Sequence, residues 1–301
     1  MTLESDLLLD RRRLKRQLGF WRGALVLGLV LLAATYWGGQ LPGSGDHVAR
    51  LPIEGTITDQ PKLLREIARV GRDSHVRAIL VFVDSPGGTV AGGEGLYRAL
   101  YALREAGKPV VAVLGGTAAS AGYMVALPAE RIFSREATLT GSIGVLLQSF
   151  EASELIARLG LRTETLTSGP LKDQPSPFRP LTEEGRAALA SVVDDMYRQF
   201  VGMVVENRRM PEERVREVAD GRVMTGRQAL AVGLVDAIGG EAEARAWLAA
   251  QHGVSPDLPV REIDPRGPAE RALSLTSASV WRAGIAAFRA EGWWPGTILP
   301  R

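Results

Sequence analysis

The sequence predicts an α/β domain with a helical C-terminal part, preceded by one N-terminal transmembrane helix. Short apolar runs alternate with amphipathic stretches over residues 49–147, which is typical of parallel strands joined by crossover helices. Residues 181–248 intersperse Glu and Arg among apolar residues, a pattern that predicts mostly helix. The stretch Gly23–Trp37 carries no charge and comes before all of these elements.

The first two strands and helices follow a linker rich in Gly and Pro. ARLPIEGTI (49–57) predicts a strand that ends in a turn, and PKLLREIARVGRD (61–73) has the spacing of an amphipathic helix. VRAILVFVD (76–84) is nearly continuous in apolar residues, as expected of a strand buried on both faces. The glycine-rich and alanine-rich residues 90–107 then predict a second helix.

A third strand and a third helix surround the most informative serine of the chain. PVVAVLGG (109–116) predicts the strand, and TAASAGYMVALPA (117–129) predicts the start of the helix. ERIFSREATLTGSIGVL (130–146) adds a short strand, a loop and another apolar segment. Ser120 therefore falls at a junction between strand and helix.

Composition and hydropathy divide the chain into five parts. Its length of 301 residues suits one sizeable domain with extensions. We expect a basic cytoplasmic tail at 1–17, a transmembrane signal anchor at 18–38, a linker at 39–48, the folded domain at 49–250 and a C-terminal tail at 251–301.

The N-terminal basic cluster predicts how the anchor is oriented. Tyr36 and Trp37 suit the far membrane interface, and basic residues before the apolar stretch keep the N-terminus inside. We therefore expect a single-pass protein of the cytoplasmic membrane with its folded domain on the extracytoplasmic side. A cleaved signal peptide is the alternative, but no clean A-x-A site follows the apolar stretch. The basic residues are Arg11, Arg12, Arg13, Lys15, Arg16 and Arg22.

Several classes of chemistry lack support in the sequence. The chain has no cysteine, which excludes thiol nucleophiles, disulfides and thiolate metal sites. It contains no HExxH, no Walker motif and no GxGxxG before a helix. The formal charge of +2 is small, and its basic cluster indicates membrane topology and not nucleic-acid binding. We expect no metal, no cofactor and no nucleic-acid partner.

Ser120 and Lys172 form a candidate nucleophile and general base. A serine hydroxyl needs a base, and the three histidines, His47, His75 and His252, lack surroundings typical of a catalytic triad. A lysine can replace histidine when its amine is neutral. Each residue alone has an ordinary explanation: Ser120 as a helix N-cap, and Lys172 as a surface lysine beside an acidic neighbour.

The turn after the second strand is a candidate oxyanion hole. DSPGG (84–88) places Gly87 and Gly88 where a tight turn leaves backbone N–H groups unshielded by side chains. Taken alone, the same residues also fit an ordinary turn between strand and helix.

Five ordered motifs resemble the signal peptide peptidase A family, in its short form with a single repeat. They lie within residues 49–240 and comprise VFVDSPGGTV, AAS-x-GY, ATLTGSIGV, SGPLKD with SPFRPLT, and ADGRVMTGRQALAVGLVD. The resemblance implies a fold like those of Clp protease and crotonase, built from repeated β-β-α units.

The resemblance also implies roles for individual residues. It makes Ser120 the nucleophile, Lys172 the general base, Ser142 the residue that orients the lysine, and Gly88 with Gly87 the oxyanion hole. It implies a serine peptidase that forms an acyl-enzyme, with residues 49–250 as the peptidase domain. Arg222 and Gly226, in the last motif, are expected to shape a turn and a helix start and not to catalyse.

Substrates and partners follow from the same resemblance. It implies cleavage of remnant signal peptides and other extended hydrophobic peptides, and homo-oligomers in which neighbouring subunits can share an active site. Three alternatives remain: a related membrane-bound Ser–Lys protease acting on membrane-protein segments, a crotonase-like acyl-CoA enzyme, and a non-catalytic scaffold. The anchor and the set Ser120, Lys172 and Ser142 argue against the acyl-CoA enzyme. A scaffold would be expected to lack the serine or the lysine, and both Ser120 and Lys172 are present.

Overall fold

Eight strands form one mixed sheet in the computed structural model, which describes residues 17–19, 21–23, 25–29 and 45–265. The strands are β1 His47–Ile57, β2 Val76–Gly88, β3 Val110–Ala119, β4 Arg131–Ser134, β5 Leu139–Gly141, β6 Val223–Thr225, β7 Ala237–Ile238 and β8 Val260–Glu262. The helices are α1 Pro61–Arg72, α2 Val90–Glu105, α3 Ala121–Ala126, α4 Ser153–Arg158, α5 Glu183–Arg208, α6 Glu212–Val218, α7 Gly226–Ala231 and α8 Glu241–His252.

Parallel pairing of β1, β2 and β3 makes the centre of the sheet. The strand order is β6-β5-β3-β2-β1-β8, with β4 pairing to β3 and β7 pairing to β4. All pairs among these strands are parallel except β5 with β6. The residues of β2 and β3 are apolar nearly throughout because helices cover both faces of the sheet. The predicted α/β class is confirmed.

Helical periodicity explains which residues enter the core. In α1 the buried residues Leu63, Ile67 and Val70 recur at the spacing of one helix face, and Pro61 opens the helix. In α2 the side chain of Thr89 accepts a hydrogen bond from the Gly92 N–H and caps the helix. These helices contribute to the larger core cluster, whereas α8 covers the other face with Ala244 and Leu248.

The C-terminal part is mostly helical, as expected for residues 181–248. Helices α5 to α8 occupy most of it, and the two short strands β6 and β7 interrupt them. Beyond it, β8 lies in the segment assigned to a tail by composition and pairs with Val48–Arg50 of β1. Residues 46–264 form one compact unit.

The predicted transmembrane anchor at 18–38 lies mostly outside the described residues. Residues 17–19, 21–23 and 25–29 have helical backbone. Within the described part of the chain, no helix combines the length and the apolar character needed to cross a membrane.

The outer edge of β1 is only partly covered. Strand β8 pairs with its first residues, and among the described residues no strand pairs with the outer edge beyond Arg50. Pro52 interrupts that edge because it has no N–H to donate. Gly55, at φ 68, lies where the pairing register between β1 and β2 shifts.

A buried ion pair joins the end of α5 to the loop before β7. Arg208, whose side chain is only 7% exposed, donates to both carboxylate oxygens of Asp236, at 2.6 and 3.0 Å. Asp236 also accepts a hydrogen bond from the Ile132 N–H at 2.7 Å. Beside it, the hydroxyl of Tyr123 donates to the Leu234 carbonyl at 2.7 Å, and burial raises the pKa of Tyr123. This cluster attaches α5 to β4 and to α3.

Gly202→Ala is expected to stabilise the protein. Gly202 lies inside α5, and apart from its chain neighbours and the adjacent helix backbone, no atom of the described residues lies within 4 Å of the position that a Cβ would take. Alanine should raise the free energy of unfolding by about 0.5–1 kcal/mol, because glycine loses more backbone entropy on helix formation. Urea unfolding measures the change. Gly226→Ala is the contrasting variant, since its Cβ would lie 2.0 Å from the Arg135 carbonyl oxygen. A destabilised Gly202→Ala would contradict the prediction.

Candidate active site

Ser120 occupies a strained turn between β3 and α3. Its φ of 54° and ψ of −122° lie where few residues other than glycine are found. The Ser120 N–H donates to the Gly141 carbonyl at 2.9 Å, and its carbonyl accepts from the Met124 N–H at 3.0 Å. A sharp turn of this kind presents a serine hydroxyl at the end of a sheet. The backbone therefore fixes the position of Ser120.

Two glycines, Gly87 and Gly122, let the end of β2 pack tightly against this turn, and a third, Gly88, lets it pack against β1. A Cβ on Gly87 would lie 2.9 Å from the Ser120 Cβ, and one on Gly122 would lie 2.8 Å from the Ser85 carbonyl oxygen. A Cβ on Gly88 would lie 1.9 Å from the carbonyl oxygen of Ile57 in β1. Such separations are closer than any packed side chain allows. The SPGG turn, which is residues 85–88, and the turn at Ser120 therefore fit against each other with no room for additional side chains.

The two predicted oxyanion donors have different hydrogen-bonding partners. The Gly87 N–H donates to the Ser85 hydroxyl at 3.1 Å. On the other side of Gly88, the Thr89 N–H donates to the Ile57 carbonyl of β1 at 2.9 Å. Gly88, unlike Gly87, lines the cavity that also contains Ser120. Of the two glycines, Gly88 is the better placed to donate to a substrate.

Ser142 is held by the pairing of β5 with β6. Its N–H donates to the Arg222 carbonyl at 2.8 Å, and its φ is 49°. Gly141, just before it, has a φ of 76°, and a Cβ there would lie 3.2 Å from the same carbonyl oxygen. Two consecutive residues with positive φ turn the chain sharply at the end of β5. The backbone carbonyl of Arg222 therefore helps to hold this turn.

One cavity brings three of the predicted residues together. Its volume is about 1130 Å³, and Ser120, Ser142 and Gly88 all line it. The convergence follows from topology, because β2, β3 and β5 are neighbouring parallel strands whose carboxyl ends meet at one edge. Apolar side chains make up much of the remaining wall, namely Val90, Val145, Leu146, Leu147, Leu181, Leu189 and Val193.

Arginine partners neutralise the acidic side chains of the cavity wall. Asp220 forms an ion pair with Arg222, which lowers the pKa of that carboxyl to about 2. Asp194 forms one with Arg198 one turn along α5, which also lowers its pKa. The remaining charged residue of the wall, Arg186, lies 3.8 Å from a carboxylate oxygen of Glu183. The cavity thus combines apolar walls with compensated charges.

Lys172 does not line this cavity. It is an exposed residue in a turn, where its N–H donates to the Gly169 carbonyl at 3.2 Å. Its acidic neighbour Asp173 pairs instead with Arg179, at 3.0 Å. Within the described residues of one chain, the structure joins Ser120 to Ser142 and Gly88 but not to Lys172.

Lys172 belongs to a long exposed loop, defined as residues 145–180. The structure describes every residue of this loop, and its only regular element is α4. Large apolar side chains are exposed along its whole length, with Leu146 at 81% and Leu166 at 92%. The full set is Leu146, Leu147, Phe150, Leu155, Leu159, Leu161, Leu166, Leu171 and Phe178. An apolar surface of this extent is typical of an interaction surface.

Sequence reasoning missed the contribution of Ser85. This side chain is fully buried, and its hydroxyl contacts both the N–H and the carbonyl oxygen of Gly87. The available signal was its position, because a serine two residues before a glycine can close a turn through its own side chain. The three histidines do not line the cavity, and His252 instead lies 3.0 Å from Glu130.

Comparison with known proteins gives one family and several relatives. The model of "Peptidase family S49" matches residues 102–255. A Synechocystis protein provisionally named a protease is 39% identical over 211 residues, which cover 70% of this chain and 76% of that protein. An Enterococcus faecium protein provisionally named a signal peptide peptidase is 32% identical over 209 residues, covering 65% and 61%. This chain therefore spans about three fifths of the second relative's length.

A solved structure also aligns with the chain. It is a point mutant of ClpP1 from Listeria monocytogenes, at 18% sequence identity and a TM-score of 0.43. The alignment covers 64% of this chain and 91% of that one.

Proposed function

The chain belongs to peptidase family S49, and we propose that it is a membrane-anchored serine endopeptidase in which Ser120 is the nucleophile and Lys172 the general base. The predicted resemblance to the signal peptide peptidase A family is confirmed. One observation carries the proposal: Ser120 lies on a strained turn in a cavity that Gly88 and Ser142 also line.

The proposed reaction passes through an acyl-enzyme. The neutral amine of Lys172 takes the Ser120 hydroxyl proton, and the serine oxygen forms a bond to the peptide carbonyl carbon. The Gly88 N–H stabilises the oxygen that gains the carbonyl electron pair. As the C–N bond breaks, the lysine ammonium returns its proton to the leaving amine. The neutral lysine then takes a proton from water, and the water oxygen forms a bond to the acyl carbon. As the bond from that carbon to the Ser120 oxygen breaks, the lysine ammonium returns its proton to Ser120.

We propose that a neighbouring copy of the chain supplies Lys172. In one chain this residue is exposed and does not line the cavity of Ser120. It lies in the exposed loop, whose apolar side chains would be buried against a second copy. The site of one copy is then complete only in a homo-oligomer, with Ser142 placed to orient the incoming lysine.

The cavity wall supports extended hydrophobic peptides as substrates. Its side chains are largely apolar, and its carboxylates are paired with arginines. A peptide with apolar side chains meets no uncompensated carboxylate there. We propose remnant signal peptides as the main substrate class, cleaved outside the cytoplasm beside the cytoplasmic membrane that residues 18–38 would anchor.

A mixing experiment tests the shared site. Ser120→Ala and Lys172→Ala chains should each be inactive toward a fluorogenic hydrophobic peptide. If the serine and the lysine come from adjacent copies, subunits exchanged at equal amounts should regain about a quarter of the wild-type activity, since random pairing combines both intact residues in that share of sites.

The outcomes of mixing separate three possibilities. Full inactivity of both single variants with no recovery on mixing would place the two residues within one chain and overturn the shared site. Retained hydrolysis in either single variant would overturn the dyad itself. Lys62→Ala, at an exposed lysine on α1, is the control for loss of a surface charge and should behave like the wild type.

A further inference from the structure

We propose that Ser85 is a positioning residue whose buried hydroxyl holds the SPGG turn against Ser120 and aims the Gly88 N–H into the cavity. The inference rests on the proposed peptidase function and adds a residue to its machinery. It concerns a side chain that does not touch substrate and acts through the backbone of Gly87 and Gly88.

The first support is the isolation of Ser85 from solvent. Its side chain is fully buried at the end of β2, where it pairs with Ala118 of β3. The Gly87 N–H, which is buried too, donates to the Ser85 hydroxyl at 3.1 Å. A buried N–H without an acceptor is costly, so the hydroxyl determines which backbone conformation the turn can adopt.

The second support is the strained geometry that the hydroxyl maintains. Gly87 has a φ of 116°, a backbone conformation that glycine adopts readily and other residues rarely do. A Cβ on Gly87 would lie 2.9 Å from the Ser120 Cβ, so Gly87 packs directly against Ser120. A side chain that bonds its own backbone two residues later is a turn-closing device. Here the bond occupies the Gly87 N–H, and of the two glycines only Gly88 lines the cavity.

The third support is that Ser85 begins the SPGG turn and also packs against the turn that carries Ser120. Its carbonyl oxygen would be 2.8 Å from a Cβ on Gly122, two residues after Ser120. A change in the turn at Ser85 is therefore transmitted to both the donor and the nucleophile. Because oxyanion stabilisation acts only in the transition state, loss of alignment should lower kcat and leave KM unchanged.

The test compares Ser85→Ala with Ser134→Ala in the full chain. Both serines are fully buried, and each hydroxyl bonds the backbone, but Ser134 lies in β4 and contacts Arg135. We expect Ser85→Ala to lower kcat for a fluorogenic peptide about 10- to 100-fold, with KM within about twofold of the wild type. The Ki of a matching peptide aldehyde should rise by the same factor, because the aldehyde forms a tetrahedral adduct with the serine.

Rescue distinguishes positioning from general destabilisation. Ser85→Thr keeps the hydroxyl and should recover most of the kcat, and Ser85→Cys, with its weak acceptor, should fall between alanine and serine. Thermal unfolding of every variant is measured in parallel. Equal losses of kcat in Ser85→Ala and Ser134→Ala, a rise of KM in place of the fall in kcat, or unchanged kinetics in Ser85→Ala would each overturn the inference.

The same assay keeps this inference separate from the proposed function. Absence of hydrolysis by the wild-type oligomer, or undiminished hydrolysis by Ser120→Ala, contradicts the peptidase proposal. An active wild type, an inactive Ser120→Ala and a fully active Ser85→Ala contradict the role of Ser85 alone.

Discussion

Ser120→Ala is expected to abolish peptide hydrolysis, lowering kcat by about four to six orders of magnitude. The hydroxyl is the only side-chain nucleophile that the proposed mechanism uses, and alanine removes it without adding an atom. Folding should be unaffected, because alanine meets the same backbone strain at φ 54° as serine does. Steady-state hydrolysis of a fluorogenic peptide measures the loss, and circular dichroism confirms that the fold is intact.

A matched serine provides the control for this variant. Ser191 is exposed on α5, and Ser191→Ala should retain wild-type kcat and KM. A serine-directed phosphonate should label the wild type and Ser191→Ala but not Ser120→Ala. Labelling of Ser120→Ala at the wild-type rate would show that another residue is the nucleophile.

Asp236→Ala is expected to produce the largest loss of stability. Among the described residues it would leave the Arg208 guanidinium, 7% exposed, with only the Gly233 carbonyl as a partner, at 3.0 Å. Removing one member of a buried pair costs about 3 kcal/mol, since an uncompensated charge stays in the interior. For a domain of this size the melting temperature should fall by about 10 °C. Differential scanning calorimetry measures the shift.

An exposed Asp–Arg pair gives the comparison for that loss. Asp220 also pairs with an arginine, Arg222, but both side chains are about half exposed. Asp220→Ala should leave the melting temperature almost unchanged, because water solvates the released arginine. Equal shifts in the two variants would contradict the importance of burial.

The sequence predicted the part of the site that strand order brings together. Gly88 ends β2, Ser120 follows β3 and Ser142 follows β5, so parallel pairing is enough to place all three at one edge. The apolar runs of the sequence predicted β1, β2 and β3 closely. Local pattern determines these elements because burial on both faces leaves little choice of residue.

Other features depend on contacts that local pattern does not encode. The exposed loop has little regular structure, so its sequence does not say whether Lys172 reaches Ser120 within one chain. Strand β8 has only three residues and follows a proline, so it is too short for an alternating pattern of apolar and polar residues to be recognised. It forms by pairing with the outer edge of β1. The proposed role of Ser85 rests on its hydrogen bond to Gly87, whose φ of 116° no local pattern predicts.

The interrupted outer edge of β1 bears on how this protein avoids aggregation. An open strand edge lets another extended chain add to it, and such pairing seeds insoluble assemblies. Along Leu51–Ile57, Pro52 supplies no N–H, and the irregularity at Gly55 breaks the regular spacing of hydrogen-bonding groups. An incoming strand would find no continuous ladder there. Pro52→Val, which restores an N–H on this edge, should therefore promote fibrillation, measurable by thioflavin fluorescence.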